Sequence, residues 1–361
     1  MSTLRTPRRV ATRRGLLLGA GGLLAGTALA ACSAEEPPPS VPQGPELASP
    51  TPDLQPNQIE RIVTAIDKSL TRADKKKDAG LLAPRVTGSA AEFRKATYAI
   101  MKKEPKLKAQ ITGQLGGPDA KIVLPVVTVS EDFPRTTIAL LGNRTGEKAA
   151  EFVVLQQKDA RSPYTTWGWA TQLAGVDLPQ VAGAGTGTET VAADADDLVL
   201  SPKDAVALYA KKLTSGDKAD KKKRIAKDPY MTAMHKSIRS ERKMLNTGVK
   251  KDEVATIHEK YSVHGGELAA VRTADGGALV IASLRSRRTV KIKDGAKIRG
   301  LQAEGGKDLL TAAVTGKSEF RKDWVRQYGT MIALAIPPKD DKKAPVQAIG
   351  AFRSFLDASG S

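Results

Sequence analysis

The chain has 361 residues, and its 57 Lys and Arg outnumber its 39 Asp and Glu, which gives a formal net charge of +18 at pH 7. The hydrophobic content of 40% excludes a chain that is disordered throughout, and the length is sufficient for two globular domains. A single cysteine excludes an internal disulfide, so the burial of apolar side chains must stabilise the fold.

The first 31 residues have the pattern of an export signal. Five arginines and no acidic residue precede an apolar segment from Leu16 to Ala30. This segment is too short and too rich in glycine to span a bilayer stably. Arg13 and Arg14, with the hydroxyl of Thr12 before them and leucines after them, resemble a twin-arginine signal, which implies folding in the cytoplasm before export. Leucine replaces the commonest residues of that motif after the pair, so general secretion stays open as the alternative route.

The export signal ends in Leu29-Ala30-Ala31-Cys32, which resembles the lipobox of bacterial lipoproteins. The resemblance implies that the Cys32 sulfur receives a diacylglyceryl group, that a peptidase removes residues 1–31, and that acyl chains hold the new N-terminus in the membrane. Small residues at Ala30 and Ala31 suit such a peptidase, and a chance cysteine after an apolar run is the alternative interpretation. The motif therefore predicts a lipid-anchored protein on the extracytoplasmic face of the cell membrane.

Residues 32–56 are predicted to form a stalk that begins at the lipidated Cys32. After this cysteine the segment carries eight prolines, four acidic residues and no basic residue. Such a composition cannot bury apolar surface and favours polyproline II, which reaches up to roughly 70 Å at about 3.1 Å per residue. The stalk would hold the folded part away from the lipid surface.

Residues 57–180 are predicted to form a first α+β domain. Asn57 and Glu60 have capping-box spacing, and apolar residues then recur at helical periodicity. Ser89 and Glu92 have the same spacing at the start of a second helix, which must end before Pro105. Segments rich in Val, Ile and Thr then predict four antiparallel strands at 122–130, 136–141, 151–157 and 164–173.

Residues 201–361 repeat this order after a linker at 181–200 that is rich in glycine and aspartate. Two helices are predicted to begin near Pro202 and Pro229, followed by strands at 267–273, 278–293, 325–336 and 346–355. The fold class is therefore α+β, with two tandem helix-helix-antiparallel-meander domains. This order resembles cystatin-like and NTF2-like architectures, which implies a concave sheet able to hold a small ligand. The whole chain also resembles actinobacterial lipoproteins that share a domain of unknown function.

Positive charge is concentrated in the second domain, which carries 33 basic and 18 acidic residues. If segment 278–293 is extended, Arg285, Arg287, Lys291 and Lys293 lie on one face. Either this is a solvated outer face protected from edge pairing, or it binds polyanions such as anionic lipid or wall polymers. The compartment and the lack of an aromatic-basic platform exclude nucleic acid as the partner. The basic runs at 75–77 and 221–224 are attributed to loop solubility.

The sequence contains no recognisable catalytic constellation. His235, His258 and His264 are the only histidines, they lack metal-site spacing, and no cysteine remains to complete a zinc site. No cofactor or metal is predicted, and we expect a non-enzymatic binding or scaffold module at the cell envelope with an unknown protein partner. One alternative is the substrate-binding component of an importer, although such proteins alternate strands and helices around a cleft. Another is a wall-modifying hydrolase, which requires a nucleophile or a carboxylate pair.

Overall fold

The computed structural model describes residues 51–107, 115, 117, 121–130, 132–142, 149–299, 309–341 and 343–361. The predicted export signal with Arg13 and Arg14, the lipobox and Cys32 all lie outside the described residues. Residues 47–361 form one compact unit. Among the described residues, no helix combines the length and the apolar character that a membrane span requires.

The first half consists of two helices followed by a four-stranded antiparallel sheet. Its helices are α1 (Pro56–Lys76) and α2 (Gly88–Lys103), and its strands are β1 (Lys121–Val127), β2 (Arg135–Gly142), β3 (Glu151–Gln157) and β4 (Trp169–Thr171), which pair in that order. The cap predicted at Asn57 is wrong, because Pro56 already occupies the first turn of α1. The Gln58 side chain instead accepts the Gln55 N–H at 2.7 Å.

The second half repeats two helices and a four-stranded antiparallel sheet. Ser201 caps α3 (Pro202–Ser215) and Asp228 caps α4 (Pro229–Leu245), each accepting the backbone N–H of the third residue of its helix. The sheet has the order β10-β9-β6-β5 and consists of β5 (Ala255–Arg272), β6 (Ala278–Ile292), β9 (Asp323–Ile336) and β10 (Gln347–Gly360). Between β6 and β9 lie the short elements β7 (Ile298–Arg299), α5 (Leu309–Thr315) and β8 (Glu319–Phe320). The predicted α+β class is confirmed.

The two sheets pack face to face, and each has a pair of helices on its other side. Phe152 and Val154 of β3 belong to one hydrophobic cluster with Ile281 of the second sheet. The intervening Val153 packs instead with α1 and α2, because successive strand residues point to opposite faces. Val280 of β6 in the same way packs with α3. Alternation along each strand therefore supplies both the contact between the sheets and the two helix contacts.

The two predicted domains share this packing. Phe93 of α2 lies 6.5 Å from Phe352 of β10 between ring centroids, and Glu267 of β5 accepts the Ser89 N–H at the start of α2 at 2.8 Å. The predicted linker at 181–200 is hydrogen-bonded to both halves, for example from Thr188 to the Arg272 carbonyl at 2.9 Å. The division into two domains stays a prediction, and residues 47–361 belong to one compact unit.

Candidate functional site: a basic groove on the second sheet

The candidate site lies where the first sheet and α2 no longer cover the second sheet. Along β6, Ile281 and Ser283 point to the covered face and are buried. Further along the same face Arg285 is half-buried, and Arg287 and Lys291 are exposed. Toward the C-terminal end of β6, this face therefore presents basic side chains to solvent instead of packing them in the core.

Strand pairing brings further polar residues onto this face. Lys260 of β5 lies directly opposite Arg287, and Arg287 lies opposite Gln327 of β9. Directly opposite residues in antiparallel strands have Cβ atoms about 4.5–5.5 Å apart, so two cations are adjacent across the pair. Together with the flanking residues they form a concave surface that encloses about 830 Å³, which we call the basic groove; its basic and hydroxyl lining comprises His258, Lys260, Ser262, Arg285, Arg287, Thr289, Lys291 and Lys322.

The cations of the groove differ in whether they have a partner. Arg285 forms an ion pair with Glu92 of α2, and its guanidinium lies 5.0 Å from the centre of the Phe93 ring. Four exposed cations have no ion pair among the described residues: Lys260, Arg287, Lys291 and Lys322. Two carboxylates, Asp294 and Asp323, also line the groove. Its Lys and Arg side chains outnumber them, so the net charge of the groove is positive.

Of the four cations predicted from the sequence, Arg287 and Lys291 line the groove without an ion partner among the described residues. Arg285 lines it but is paired, and Lys293 is exposed beyond the end of β6. Sequence reasoning missed Lys260, because β5 begins at Ala255 and not at the predicted residue 267. Alternating polar residues from His258 onward were the available signal.

A buried ion network lies on the opposite side of the same strands. Glu259 of β5 accepts hydrogen bonds from Arg288 Nε of β6 and from Arg353 Nη2 of β10, both at 2.7 Å. Arg288 Nη1 also donates to Glu241 of α4 at 2.8 Å, and Glu241 pairs in turn with Arg326 of β9. Burial alone would raise the pKa of Glu259, but Arg353 and Arg288 hold it below its usual value. The network joins four strands to one helix.

This network fixes the backbone on which the groove is built. Arg287 lies between Ser286, whose hydroxyl donates to Glu259, and Arg288. Both neighbours of Arg287 are buried. A side chain on a rigid strand loses less conformational entropy on binding than one on a loop, so the cations of the groove are preorganised.

The groove has the chemistry of an anion site. Ammonium and guanidinium groups bind phosphate and carboxylate oxygens, and the hydroxyls of Ser262 and Thr289 add neutral donors. The aromatic rings of β9 belong to the other face, where Trp324 is buried and Arg353 lies 3.7 Å from the Tyr328 ring centre. Among the described residues that line the groove there is therefore no Phe, Tyr or Trp ring on which a base could stack.

The three histidines occupy separate places. Only His258 lines the groove, whereas His235 Nε2 lies 2.9 Å from the Leu213 carbonyl oxygen and His264 lies 3.7 Å from a Glu92 oxygen. In the described part of the chain, no three His, Cys, Asp or Glu side chains are grouped so that they could hold a metal ion.

Comparison with known proteins gives a family. No curated protein and no solved structure matches the chain. A family model described as a domain of unknown function, DUF8094, matches residues 50–360. Because this match covers most of the chain, the protein belongs to the DUF8094 family.

Proposed function

We propose that this protein is a lipid-anchored, extracytoplasmic binding module without enzymatic activity, and that its basic groove holds an anionic polymer of the cell envelope. The observation that carries the proposal is the set of exposed cations, Lys260, Arg287, Lys291 and Lys322, which have no ion partner among the described residues and share one face of a rigid sheet. The two carboxylates of the groove, Asp294 and Asp323, are outnumbered by its cations, so a net positive charge remains.

The spread of the cations favours a polymer over a small anion. Arg287 and Lys291 are four residues apart on β6, which corresponds to about 13 Å along an extended strand. Lys260 adds a charge on the neighbouring strand. One phosphate is too small to contact all of them, whereas a polymer with repeated phosphates neutralises them together.

The point at which the chain enters the compact unit also supports this assignment. The Asp53 N–H donates to the Thr128 carbonyl at 2.8 Å, and Thr188, which bonds the Arg272 carbonyl, pairs with Thr128. Arg272 ends β5, whereas the groove lies toward the beginning of β5. A groove at the far end of the sheet from the anchored segment is placed to meet a polymer outside the membrane.

We further propose that the two halves are tandem copies of one cystatin-like or NTF2-like unit. The order of two helices and a four-stranded antiparallel sheet in each half supports this. Neither of these two sheets, within the described residues, has the alternating strand-helix order on which the importer alternative depends.

Binding of polyphosphate, measured by titration at several salt concentrations, tests the groove. Each basic side chain held near an anionic surface contributes about 1 kcal/mol, so Lys260→Gln, Arg287→Gln and Lys291→Gln together should weaken binding about 100-fold. The matched control replaces three exposed lysines of α1, Lys68, Lys75 and Lys76, by Gln and changes the net charge equally. Equal loss in the control, or none in the groove variant, would refute the site.

Membrane fractionation tests the anchor separately. Cys32→Ala removes the sulfur to which lipid would be attached, so we expect the protein to leave the membrane fraction. Retention of this variant in membranes would refute the anchor, and it would leave the polyphosphate measurement unaffected.

A further inference from the structure

A second cluster of exposed cations lies on two adjoining loops. It consists of Lys222, Lys223 and Arg224, which precede α4, and of Lys339 and Lys343, which lie between β9 and β10. These five residues surround a shallow cavity of about 400 Å³ whose remaining lining includes the apolar Leu198, Val199, Ala344 and Pro345. We call this cluster the lysine patch.

The backbone of the lysine patch is held in place by the fold. The Val346 N–H donates to the Arg224 carbonyl at 2.7 Å, and the Ala226 N–H donates to the Val346 carbonyl at 2.9 Å. Between them Ile225 is buried against β10. The Lys339 N–H donates to the Asp197 carbonyl at 2.9 Å. The patch is therefore a fixed feature of the surface, which solubility alone does not require.

The charge of the patch is not balanced locally. None of its five cations forms an ion pair within the described part of the chain. The nearby carboxylates have other partners: Asp220 pairs with the buried Lys212 at 3.4 Å, and Asp197 pairs with Arg272 at 2.7 Å. Asp340 and Asp341 are exposed beside Lys339, and they leave the patch with an excess of positive charge.

The patch lies at the end of the molecule where the chain enters the compact unit. Thr128 binds Asp53, its hydroxyl donating to the Asp53 carboxylate at 2.6 Å. Its neighbour Val129 donates to the Thr188 carbonyl at 2.7 Å, and Thr188 donates to Arg272. Arg272 forms an ion pair with Asp197, and the Asp197 carbonyl accepts the Lys339 N–H. A short chain of direct contacts thus joins the entry point to the patch.

We infer that the lysine patch binds the headgroups of anionic lipids in the membrane to which the chain is anchored. The diacylglyceryl group implied at Cys32 already carries two acyl chains, so the patch is not needed for retention in the membrane; its role would be to hold the folded unit against the lipid surface by electrostatic attraction. Each lysine near an anionic lipid surface strengthens the attachment. The apolar floor between the cations suits a lipid headgroup region better than a fully hydrated polymer.

This arrangement also sets the direction of the basic groove. Nine residue steps along β6 separate Ala278, at the patch end of the sheet, from Arg287, which corresponds to about 30 Å of extended strand. With the patch on the membrane, the groove points away from it. This orientation rests on the proposed anchor, whereas lipid binding by the patch does not.

The patch is tested by measuring how strongly residues 33–361, produced without the lipid modification, partition onto vesicles. This chain keeps the whole fold, because residues 47–361 form one compact unit that contains all four described hydrophobic clusters. We expect binding to vesicles of equimolar phosphatidylcholine and phosphatidylglycerol, none to phosphatidylcholine alone, and a decline with added salt. Replacing Lys222, Lys223, Lys339 and Lys343 by Gln should lower the partition coefficient at least about 100-fold.

The matched control replaces Lys260, Arg287, Lys291 and Lys322 of the groove by Gln, which removes the same number of charges. We expect it to keep its vesicle binding. The inference is overturned if the patch variant binds like the unmodified chain, if the groove variant loses as much, or if anionic lipid makes no difference. Because Cys32 is absent from this chain, these outcomes are independent of whether the anchor is correct, and the polyphosphate titration tests the polymer site separately.

Discussion

Removing the charge of Glu259 is the sharpest test of how the platform below the groove is stabilised. Glu259 is 2% exposed, and its carboxylate accepts hydrogen bonds from Arg288 and Arg353 at 2.7 Å and from the Ser286 hydroxyl. Glu259→Gln keeps the shape of the side chain but removes its negative charge. Arg288 and Arg326 would then share the remaining carboxylate of Glu241, and Arg353 would lose the one ion pair that it forms among the described residues.

The expected loss of stability follows from this imbalance. Neutralising one partner of a buried ion pair costs about 3–5 kcal/mol, because the other partner stays buried without compensation. Arg288 keeps Glu241 at 2.8 Å, so we expect the lower end of this range. The entropy of unfolding is about 2.1 cal/mol/K per residue, so over residues 47–361 a loss of about 3 kcal/mol lowers Tm by roughly 4–5 °C. Thermal denaturation followed by circular dichroism measures it directly.

Glu319→Gln is the matched control for this substitution. Glu319 also forms ion pairs, with Lys297 at 3.4 Å and Arg321 at 2.8 Å, but its partners are exposed to solvent. Water and salt screen such pairs, so we expect almost no change in Tm. If Glu259→Gln unfolds at the same temperature as the unmodified protein, or if the control falls equally far, buried charge does not stabilise this sheet and the reasoning is wrong.

Two further predictions concern acid stability and the contact between α2 and the second sheet. Burial would raise the pKa of Glu259, but Arg353 and Arg288 hold it below the usual 4.5, so its ionised form stabilises the fold above pH 4.5 and this contribution is lost as the pH falls further. Tm measured against pH should therefore fall more steeply below pH 4.5 in the unmodified protein than in Glu259→Gln. In Gly329→Ala the new Cβ would lie 2.0 Å from Phe93 Cε1, and we expect about 1–3 kcal/mol of lost stability in urea denaturation. Gly183→Ala is the control, because nothing lies within 4 Å of its new Cβ. If the two variants unfold at the same urea concentration, Phe93 moves aside without cost and the expectation is wrong.

The parts of the fold that the sequence predicted are those set by local patterns. Strand β3 spans the predicted residues 151–157, and β6 ends one residue before its predicted limit. Between the predicted strands 267–273 and 278–293, the Asp275-Gly276 pair is typical of a hairpin turn, and in the structure Gly276 has a φ of 83° and the Thr273 N–H donates to the Gly277 carbonyl at 3.0 Å. Alternation within a strand and a glycine with positive φ at a turn are both properties of a few adjacent residues.

The parts that the sequence missed depend on partners far along the chain. Gly265 and Gly266 both have positive φ and lie within the register shift of β5. In the sequence they resemble the end of a strand, although in the structure they belong to a bulge and the strand continues. The Ser89–Glu92 capping box is wrong for a related reason, because the Ser89 N–H bonds Glu267, 178 residues away.

The excess of positive charge in the composition therefore includes two separate groups of cations, which lie at opposite ends of the second sheet. The groove and the lysine patch are about 30 Å apart along β6, whereas the Debye length at physiological ionic strength is about 8 Å. Each group of cations is thus screened from the other, and neutralising one should leave the anion affinity of the other unchanged. The hydrophobic clusters and the Glu259 network pack the strands that lie between them, so we expect binding at one end to leave the other unchanged. Such independence would let the protein bind a membrane with one end and an anionic polymer with the other, as the two proposals require.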